Sequence, residues 1–362
     1  MNSISALSPG DAAPFCVGAT LAGAFYSFQG QAGRPVALIL AGSLAAAALP
    51  PLVAAFAGRM AEIAALGGDV VLLTQGDPVG SLAYSERHPS PVPLVIAFGE
   101  FFAQCRLAPP FPAVLVLDRN LRIAGIIEGG DPAAAVAQAV ACFTALPSDT
   151  PREDVLPAPI LLIPNLIGRD LCRALIERFE GGGNFESGFA SLGPDGKPLY
   201  KIEHGKKQRR DFLIDEADPF YAPLAELLLR RCVPEIKKAF QIEVAHLDRL
   251  LIARYDTGAG HFRRHRDNGA PNVAFRQFAL TLNLNTEDYE GGHLVFPEYN
   301  PHRYRPPTGA GIVFSASLLH EAQPLTSGTR YVLLTFVHSR EAERQRLASR
   351  AQAEASSGAA AE

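Results

Sequence analysis

The stretch that decides the fold of the C-terminal half is "RYDTGAGHFRRHRDN", Arg254 to Asn268. It holds two histidines, and the first question is which of them could bind a metal. In an extended strand, residues two apart share a face, so His265 and Asp267 would project together. His261 has the same parity but lies two pleats away. On a helix, His261 and His265 would be neighbours, as in zinc sites with HxxxH spacing. The preceding "DTGAG" favours the extended alternative.

A third ligand must come from another part of the chain, and the candidates are His293, His302, His320 and His338. The segment around His320 predicts a strand, a turn, a second strand that carries this histidine, a hairpin, and a long strand beginning near Arg330. Antiparallel pairing across that hairpin would bring His320 close to Arg330. An arginine there could bind a carboxylate through two hydrogen bonds. Two histidines and one carboxylate are typical of non-haem Fe(II) oxygenases, whereas zinc hydrolases with similar ligands do not need the arginine.

These residues resemble the iron- and 2-oxoglutarate-dependent dioxygenases, and most closely the prolyl 4-hydroxylase branch. The resemblance covers roughly Ala158 to Ser339. It includes the quoted stretch and "YEGGHLVFPE", Tyr289 to Glu298, which is similar to the family's glycine turn before an inward strand. The resemblance implies a double-stranded β-helix (jelly roll) with flanking helices. The closely spaced strand signals after Ala245 independently favour a β-sandwich or barrel.

The same resemblance implies a role for individual residues. His265, Asp267 and His320 would bind Fe(II), and Arg330 would bind the distal carboxylate of 2-oxoglutarate. Further positions match those at which the family often contacts this cosubstrate; these are Tyr255 and Asn283. Because the family frequently has Tyr where this chain has Asn, Thr281 on the same strand face is an alternative contact.

The implied activity is oxidative decarboxylation of 2-oxoglutarate to succinate, coupled to hydroxylation of an unidentified substrate. Fe(2+), 2-oxoglutarate and O2 are the expected cofactor and cosubstrates, with ascorbate as an optional addition. Peptidyl proline is the substrate to consider first, and small molecules stay open because specificity lies in loops that the motifs do not cover. A homodimer is one option for the assembly. Two alternatives are a non-catalytic two-domain scaffold and, less favoured, a thiol peroxidase.

The first 145 residues alternate strand and helix signals and predict an α/β unit with some parallel pairing. They resemble peroxiredoxins and other thioredoxin-fold proteins. That family places a reactive cysteine at the start of the helix after the first central strand, which here corresponds to Leu49 or a neighbour. No cysteine occurs between Cys16 and Cys105. We therefore expect a thioredoxin-like domain that lacks the peroxidatic thiol.

Charge composition supports a division into two modules. Residues 1–150 contain six arginines, no lysine and ten acidic residues, whereas the remainder contains 27 basic and 27 acidic residues. The predicted boundaries are a thioredoxin-like domain at 1–146, a proline-rich linker at 147–157, and a dioxygenase domain at 158–340. A helical tail that becomes low in complexity is expected at 341–362.

The compartment and the general binding partners follow from composition. A formal net charge of −4 predicts no general attraction to nucleic acid or to an anionic membrane. Pro35 to Gly58 is uncharged over a membrane-spanning length, but Pro50-Pro51 would break such a helix, so a buried strand followed by a helix is favoured. Five widely separated cysteines and the absence of signal-peptide features predict a cytoplasmic protein.

A basic run, Lys201 to Asp215, is the last feature. Such runs usually form a solvated face. Together with Arg263, Arg264 and Arg266 it could instead form a rim for an acidic peptide or for nucleic acid, of which nucleic acid is less favoured because few aromatic residues are interleaved. Substrate contact by Lys201–Arg210 is therefore a hypothesis.

Overall fold

The structure is a computed structural model and describes residues 7–98, 100–105, 112–147, 156–192 and 198–348. The chain divides into two compact units, Met1–Pro151 and Arg152–Glu362. Most of the predicted linker at 147–157 lies outside the described residues. Of the predicted tail, 341–348 is described and helical, and the rest lies outside the described residues.

The N-terminal unit contains a sheet of seven strands. The strands are β1 Val17–Thr20, β2 Phe25–Ser27, β3 Val36–Ala41, β4 Asp69–Thr74, β5 Leu94–Phe98, β6 Ala113–Leu117 and β7 Ile123–Glu128. Their order in the sheet is β2-β1-β5-β4-β3-β6-β7. The central strands β3, β4 and β5 are parallel, and the other pairings are antiparallel. This agrees with the predicted α/β unit.

Four helices cover this sheet. They are α1 Leu49–Ala65, α2 Pro78–Arg87, α3 Phe101–Cys105 and α4 Pro132–Ala145. Helix α4 begins as its sequence predicts, because the Asp131 carboxylate accepts a hydrogen bond from the Ala134 amide at 2.9 Å. Apolar residues of α1, α2 and α4 pack on one face of the sheet, and those of α3 pack on the other.

The uncharged segment Pro35 to Gly58 forms strand β3 and the first half of α1. All six residues of β3 are buried, as expected for a strand covered on both faces. No helix within the described residues is long and apolar enough to cross a membrane.

The C-terminal unit is built mainly from short antiparallel strands. The strands are β8 Ile160–Ile163, β9 Phe185–Glu186, β10 Phe189–Leu192, β11 Pro198–Lys201, β12 Lys207–Gln208, β13 Arg210–Leu213, β14 His246–Asp256, β15 His261–His265, β16 Phe278–Asn283, β17 Tyr289–Gly291, β18 Leu294–Val295, β19 Gly311–Ser315, β20 His320–Ala322 and β21 Leu325–His338. Its long helices are α5 Arg169–Glu180 and α6 Tyr221–Phe240.

Two sheets of this unit pack face to face. The large sheet has the order β8-β19-β16-β21-β14-β13-β9, with β17 also paired to β21, and the small sheet has the order β12-β15-β20-β18. Two mixed clusters join the sheets: Val332 and Leu251 of the large sheet pack with Ala322 of the small one, and Phe314 packs with Leu294. Helices α5 and α6 pack on the other face of the large sheet. The space between the two sheets therefore becomes the natural place for a buried site.

Candidate metal centre

Strand pairing in the small sheet sets the candidate metal ligands side by side. Strands β15 and β20 are antiparallel, and their register places His265 directly opposite His320. Asp267 follows β15, and its amide donates a hydrogen bond to the Ala316 carbonyl at 2.9 Å. The three side chains converge, as the alternation of side chains in an extended HxD segment predicts for His265 and Asp267.

The orientation of the imidazole rings suits metal binding. His265 Nδ1 lies 2.7 Å from the Arg263 carbonyl oxygen, and His320 Nδ1 lies 3.0 Å from the Leu318 carbonyl oxygen. A carbonyl oxygen only accepts hydrogen bonds, so each Nδ1 carries a proton, and in a neutral ring Nε2 then presents a lone pair. Both Nε2 atoms lie 3.4 Å from Asp267 carboxylate oxygens. Two lone pairs and an anion therefore face one point, which a cation would stabilise.

Burial also favours the protonation states that a metal requires. Burial lowers the pKa of His320 to about 4, so its imidazole is neutral at neutral pH. Burial opposes ionisation of Asp267, but the facing His320 and His265 hold the pKa of this carboxyl well below its usual range. Neutral histidines and an ionised carboxylate are the forms that bind divalent metals.

Within the described part of the chain, His265, Asp267 and His320 are the only group of three such side chains whose ligand atoms lie within 4.8 Å of one another. Their chemistry, two imidazoles and one carboxylate, fits non-haem Fe(II). The other histidines lie elsewhere. His261 faces the Ala259 carbonyl at 2.7 Å, and His302 is exposed.

Two further histidines were candidates for the third ligand. His293 is partly buried, and burial lowers its pKa. His338 is buried, and its Nε2 lies 2.7 Å from a carboxylate oxygen of Glu343. Neither histidine belongs to the convergent group.

Arg330 lies on β21 and is 3% exposed. Its Nη2 donates a hydrogen bond to Asn283 Oδ1 at 3.3 Å. Its guanidinium carbon lies 5.2 Å from the centre of the Tyr255 ring and 6.0 Å from that of Tyr289. Neither Arg330 Nε nor the Tyr289 hydroxyl has a hydrogen-bond partner among the described residues. A buried guanidinium nitrogen without a partner indicates that a polar ligand or water binds to Arg330.

The predicted pairing of the strands that carry His320 and Arg330 is wrong. Strand β20 pairs with β15 and β18 in the small sheet, whereas β21 pairs with β14, β16 and β17. The segment between them passes from one sheet to the other, and it does not close a hairpin within one sheet. The two residues nevertheless line the same cavity, because they face each other across the space between the sheets.

This cavity has a volume of about 1290 Å³ and includes all three candidate ligands and Arg330 in its wall. Thr281 and Tyr255 also line it, whereas Asn283 does not. Asn283 instead holds Arg330, and its Nδ2 donates a hydrogen bond to the Pro306 carbonyl at 2.8 Å. Of the two alternatives on strand β16, the structure therefore places Thr281 on the cavity and Asn283 behind the arginine.

The glycine turn before β18 shapes the space around Arg330. Gly291 and Gly292 both have positive φ, at 78° and 60°. A Cβ on Gly292 would lie 3.0 Å from Arg330 Cδ. A side chain at this position would therefore be strained and would crowd the arginine.

A buried charged network beside the cavity was not predicted from the sequence. Lys207 and Arg209 line the cavity, and Asp211 lies fully buried behind them. Lys207 Nζ donates to Ser187 Oγ at 2.6 Å and to the Gly188 carbonyl at 2.5 Å. Arg209 Nη2 donates to Asp211 Oδ2 at 3.0 Å. A solvated face is therefore the wrong interpretation for this end of the basic run.

The network reaches the candidate cosubstrate site through Tyr255. Arg209 Nη1 lies 3.0 Å from the Tyr255 hydroxyl oxygen. A guanidinium only donates hydrogen bonds, so this oxygen accepts and its own hydrogen must point elsewhere. Tyr255 lies in register with Arg330 on the neighbouring strand and lines the cavity. Arg209 thus leaves the tyrosine hydroxyl free to donate to a bound ligand.

The cysteines of the N-terminal unit differ from reactive thiols. Cys16 and Cys105 are buried, and burial raises the pKa of Cys16 to about 11 and that of Cys105 to about 12. Thiols with such pKa values hold few thiolates at neutral pH, and the thiolate is the nucleophile. Helix α1 begins at Leu49, where the resemblance to peroxiredoxins would place the reactive residue.

Comparison with known proteins bears on these observations. A family model described as the 2OG-Fe(II) oxygenase superfamily matches residues 250–338, which contain all three candidate ligands and Arg330. A PKHD-type hydroxylase of Synechococcus sp. (strain CC9902) is 30% identical over 152 residues, which cover 41% of this chain and 67% of the relative. The chain belongs to the 2OG-Fe(II) oxygenase superfamily. A second PKHD-type hydroxylase, of Picosynechococcus sp., is 35% identical over 102 residues, which cover 27% of this chain and 46% of that protein.

Two solved structures are also similar to parts of this chain. A prolyl 4-hydroxylase of Pseudomonas putida shares 21% identity, covers 51% of this chain and 94% of its own length, and has a TM-score of 0.37. The peroxidoxin BcpB of Mycobacterium tuberculosis shares 16% identity, covers 39% of this chain and 99% of its own length, and has a TM-score of 0.36.

Proposed function

We propose that this chain is an Fe(II)- and 2-oxoglutarate-dependent hydroxylase, with peptidyl proline as the first substrate to test. The catalytic domain would comprise residues 158–340, and the two facing sheets would form the double-stranded β-helix of the superfamily. The observation that carries the proposal is the convergence of His265, Asp267 and His320 in one cavity with Arg330. Ascorbate is a further candidate reductant, and we propose a cytoplasmic location, which the free cysteines support.

The three convergent side chains would hold Fe(II), which together with 2-oxoglutarate and O2 supplies the oxidising power for C–H hydroxylation. The residues of the chain would then orient the reactants. Arg330 is buried and has an Nε without a partner among the described residues, so it can bind the distal carboxylate of 2-oxoglutarate. Tyr255 would donate its hydroxyl hydrogen to the same molecule, and Thr281 lies in the same cavity wall.

Apolar side chains would exclude water from this part of the cavity. Leu251, Val332 and Ala322 are buried together with Tyr255 in one cluster. Exclusion of water strengthens the hydrogen bonds of Arg330, because charges interact more strongly at low dielectric constant.

The decisive experiment is optical. Fe(II) and 2-oxoglutarate added to the full chain without oxygen should produce a visible metal-to-ligand charge-transfer band. The band is expected in the wild type and should disappear in His320→Ala. A wild-type chain that shows no band under these conditions would contradict the proposal.

The substrate is tested separately by measuring succinate. Proline-containing peptides should raise the rate of succinate formation above that with 2-oxoglutarate alone. If peptides have no effect while free amino acids or other small molecules do, the hydroxylase assignment stands and the peptidyl substrate is wrong.

A further inference from the structure

Basic side chains line one wall of the cavity, and only Lys206 among them is charged without a nearby carboxylate of the described residues, because burial lowers the pKa of Lys207 to about 6 and Arg209 pairs with Asp211. Lys206, Lys207 and Arg209 all line this wall. Lys207 and Arg209 share one carboxylate, Asp211, whose Oδ2 lies 3.9 Å from Lys207 Nζ and 3.0 Å from Arg209 Nη2. Lys206 Nζ lies 4.3 Å from the centre of the Phe189 ring. No carboxylate of the described residues lies within ion-pair distance of Lys206, so this wall has unbalanced positive charge.

A smaller depression of about 490 Å³ shares Lys206 with this wall. Gly205, Lys206, Arg263, Arg264 and Glu321 line it. Glu321 lies between His320 and Ala322 on β20, and these two line the larger cavity, so the smaller depression is on the outer face of the small sheet. Lys206 lines both depressions and lies beside the edge strand β12, where the two faces meet. We name Lys206, Arg263 and Arg264 the basic rim.

The basic rim contains three cations, and a single carboxylate, Glu321, lies among them. Arg263 Nη1 lies 3.4 Å from Glu321 Oε1, and Arg264 Nε lies 3.5 Å from Glu321 Oε2. The two arginine side chains are 55% and 64% exposed. Ion pairs that are this long and this exposed contribute little stability. The arginines can therefore turn to another carboxylate at little cost.

Aromatic rings connect the basic rim to the candidate metal ligands. The ring centres of Phe189 and Phe262 are 6.4 Å apart, and Phe262 stacks on the imidazole of His265 at 3.4 Å. Lys207 Nζ lies 5.1 Å from the centre of the Phe262 ring. A substrate that follows this path meets apolar surface beside the metal ligands and positive charge at its outer end.

We propose that the cavity binds an acidic peptide segment. This inference rests on the proposed hydroxylase function and adds a substrate class to it. The residue to be hydroxylated would lie beside Phe262 and His265, and one or more carboxylates of the peptide would bind the basic rim. An extended peptide fits better than a compact anion because it can leave the cavity past Lys206 at the sheet edge and reach the arginines on the outer face.

Nucleic acid fits this surface less well. Stacking of successive bases requires several presented aromatic faces, whereas in this wall Tyr200 is exposed but Phe189 is buried. Glu321 also lies within the basic rim and would repel a continuous phosphate backbone.

The test compares two fluorescein-labelled decapeptides, a Glu-Pro repeat and a Gln-Pro repeat. Their binding to the full chain is measured by fluorescence anisotropy with Fe(II) and 2-oxoglutarate in the absence of oxygen. Two or three exposed ion pairs should make the Glu-Pro probe roughly tenfold tighter at low salt. The difference should shrink at high salt, because exposed charges are screened.

Charge reversal identifies the residues that give the Glu-Pro probe its higher affinity. Lys206→Glu should bring the ratio of the two affinities close to one. The matched control is Lys237→Glu, because Lys237 is an exposed lysine of α6, 61% exposed in its side chain and paired with Glu243. The control should keep the wild-type ratio. A misfolded variant would lose both probes, whereas a variant that has lost charge recognition loses only the advantage of the Glu-Pro probe. Arg264→Glu provides a second, exposed position with the same expected result.

Several outcomes would overturn the proposal. Equal affinities for the two probes in the wild type would remove its basis. A preference that survives both Lys206→Glu and Arg264→Glu would place the binding elsewhere. Tighter binding of a single-stranded oligonucleotide, lost in Lys206→Glu, would assign the basic rim to nucleic acid. Displacement of the Glu-Pro probe by free glutamate at equal carboxylate concentration would assign it to a small anion. If the wild type shows no charge-transfer band, the hydroxylase function is contradicted. The binding of an acidic peptide to the basic rim is judged separately, from the ratio of the two probe affinities.

Discussion

Two arginines, one in each unit, are almost equally buried but differ in what they contact. Arg122 in the N-terminal unit is 2% exposed, and its Nε and Nη2 both donate to the Gly10 carbonyl oxygen, at 3.0 and 2.5 Å. Arg330 in the C-terminal unit is 3% exposed, and its Nε has no acceptor among the described residues. A buried charge is costly unless it is hydrogen-bonded. Arg122 therefore stabilises the fold, whereas Arg330 keeps a hydrogen-bond donor available for a ligand. The donor without an acceptor distinguishes the two roles, because the two side chains are almost equally buried.

Burial itself has opposite consequences in the two units. It raises the pKa of Cys16 to about 11, which keeps the thiol protonated and a poor nucleophile. It lowers the pKa of His320 to about 4, which keeps the imidazole neutral and able to bind a metal. Desolvation therefore disfavours nucleophilic attack by the Cys16 thiol and favours metal binding by the His320 imidazole.

Replacement of a candidate metal ligand should have the largest effect. His320→Ala should remove the charge-transfer band and lower succinate formation by at least about a hundredfold, because the two remaining ligands hold iron weakly. Absorbance and succinate assays measure both. His261→Ala should at most weaken activity, and Cys16→Ala in the N-terminal unit should leave the band in place. Peroxide turnover that disappears in Cys16→Ser would show that Cys16 is a reactive thiol and would contradict the contrast between the units.

The two buried arginines can be compared directly. Arg330→Ala should raise the Kd for 2-oxoglutarate roughly a hundredfold, about 3 kcal/mol, because a buried carboxylate would lose its charged partner. Titration of the charge-transfer band measures this Kd. Arg122→Ala should instead lower the melting temperature, by an amount equivalent to about 1.5–3 kcal/mol for a hydrogen-bonded buried charge. If Arg122→Ala weakened 2-oxoglutarate binding as much as Arg330→Ala, the contrast between the two arginines would be lost.

Stability should depend on pH through Lys207. Burial lowers the pKa of this lysine from 10.5 to about 6, so between these values the unfolded chain binds a proton that the folded chain does not. Stability of the C-terminal unit should therefore rise with pH over this range, by at most about 1.4 kcal/mol per pH unit. Melting temperatures between roughly pH 6.5 and 8.5 test this, since this interval lies above the ordinary pKa of histidine and below that of lysine.

Lys207→Met should flatten that pH dependence. Lys237→Met, on the exposed surface of α6, should keep it. An unchanged slope in Lys207→Met would show that the buried lysine is protonated throughout.

The smallest effect is expected from the orientation of Tyr255. Tyr255→Phe removes one hydrogen bond, so the KM for 2-oxoglutarate should rise several-fold while kcat changes little, as expected for about 0.5–1.5 kcal/mol. Arg209→Leu should raise this KM similarly, because the tyrosine loses the donor that directs its hydroxyl, and it should also lower the melting temperature, because buried Asp211 loses its partner. Arg210→Leu is the control, since its exposed side chain binds Asn184. A fall in kcat without a change in KM would contradict a role in orienting the cosubstrate.

Much of the architecture could be predicted because it depends on local periodicity. The extended HxD spacing at the end of β15 predicted that His265 and Asp267 share one face, and the apolar run of β3 predicted a buried strand. The Asp131 cap and the glycine turn at Gly291 and Gly292 are equally local, since each depends on a few neighbouring residues. The structure also brings His320, distant in sequence, to the predicted pair.

The sequence by itself determined which residues could bind a metal and which strands would be half-buried, because side-chain identity and a period of two residues are local properties. Tertiary structure alone decided that His320 and Arg330 lie on different sheets, that Asn283 supports the arginine, and that Lys207 and Arg209 turn inward. The physical reason is that a charged side chain can be buried only where distant partners meet it. Asp211, Ser187 and Tyr255 come together around these basic side chains only when strands far apart in sequence are paired.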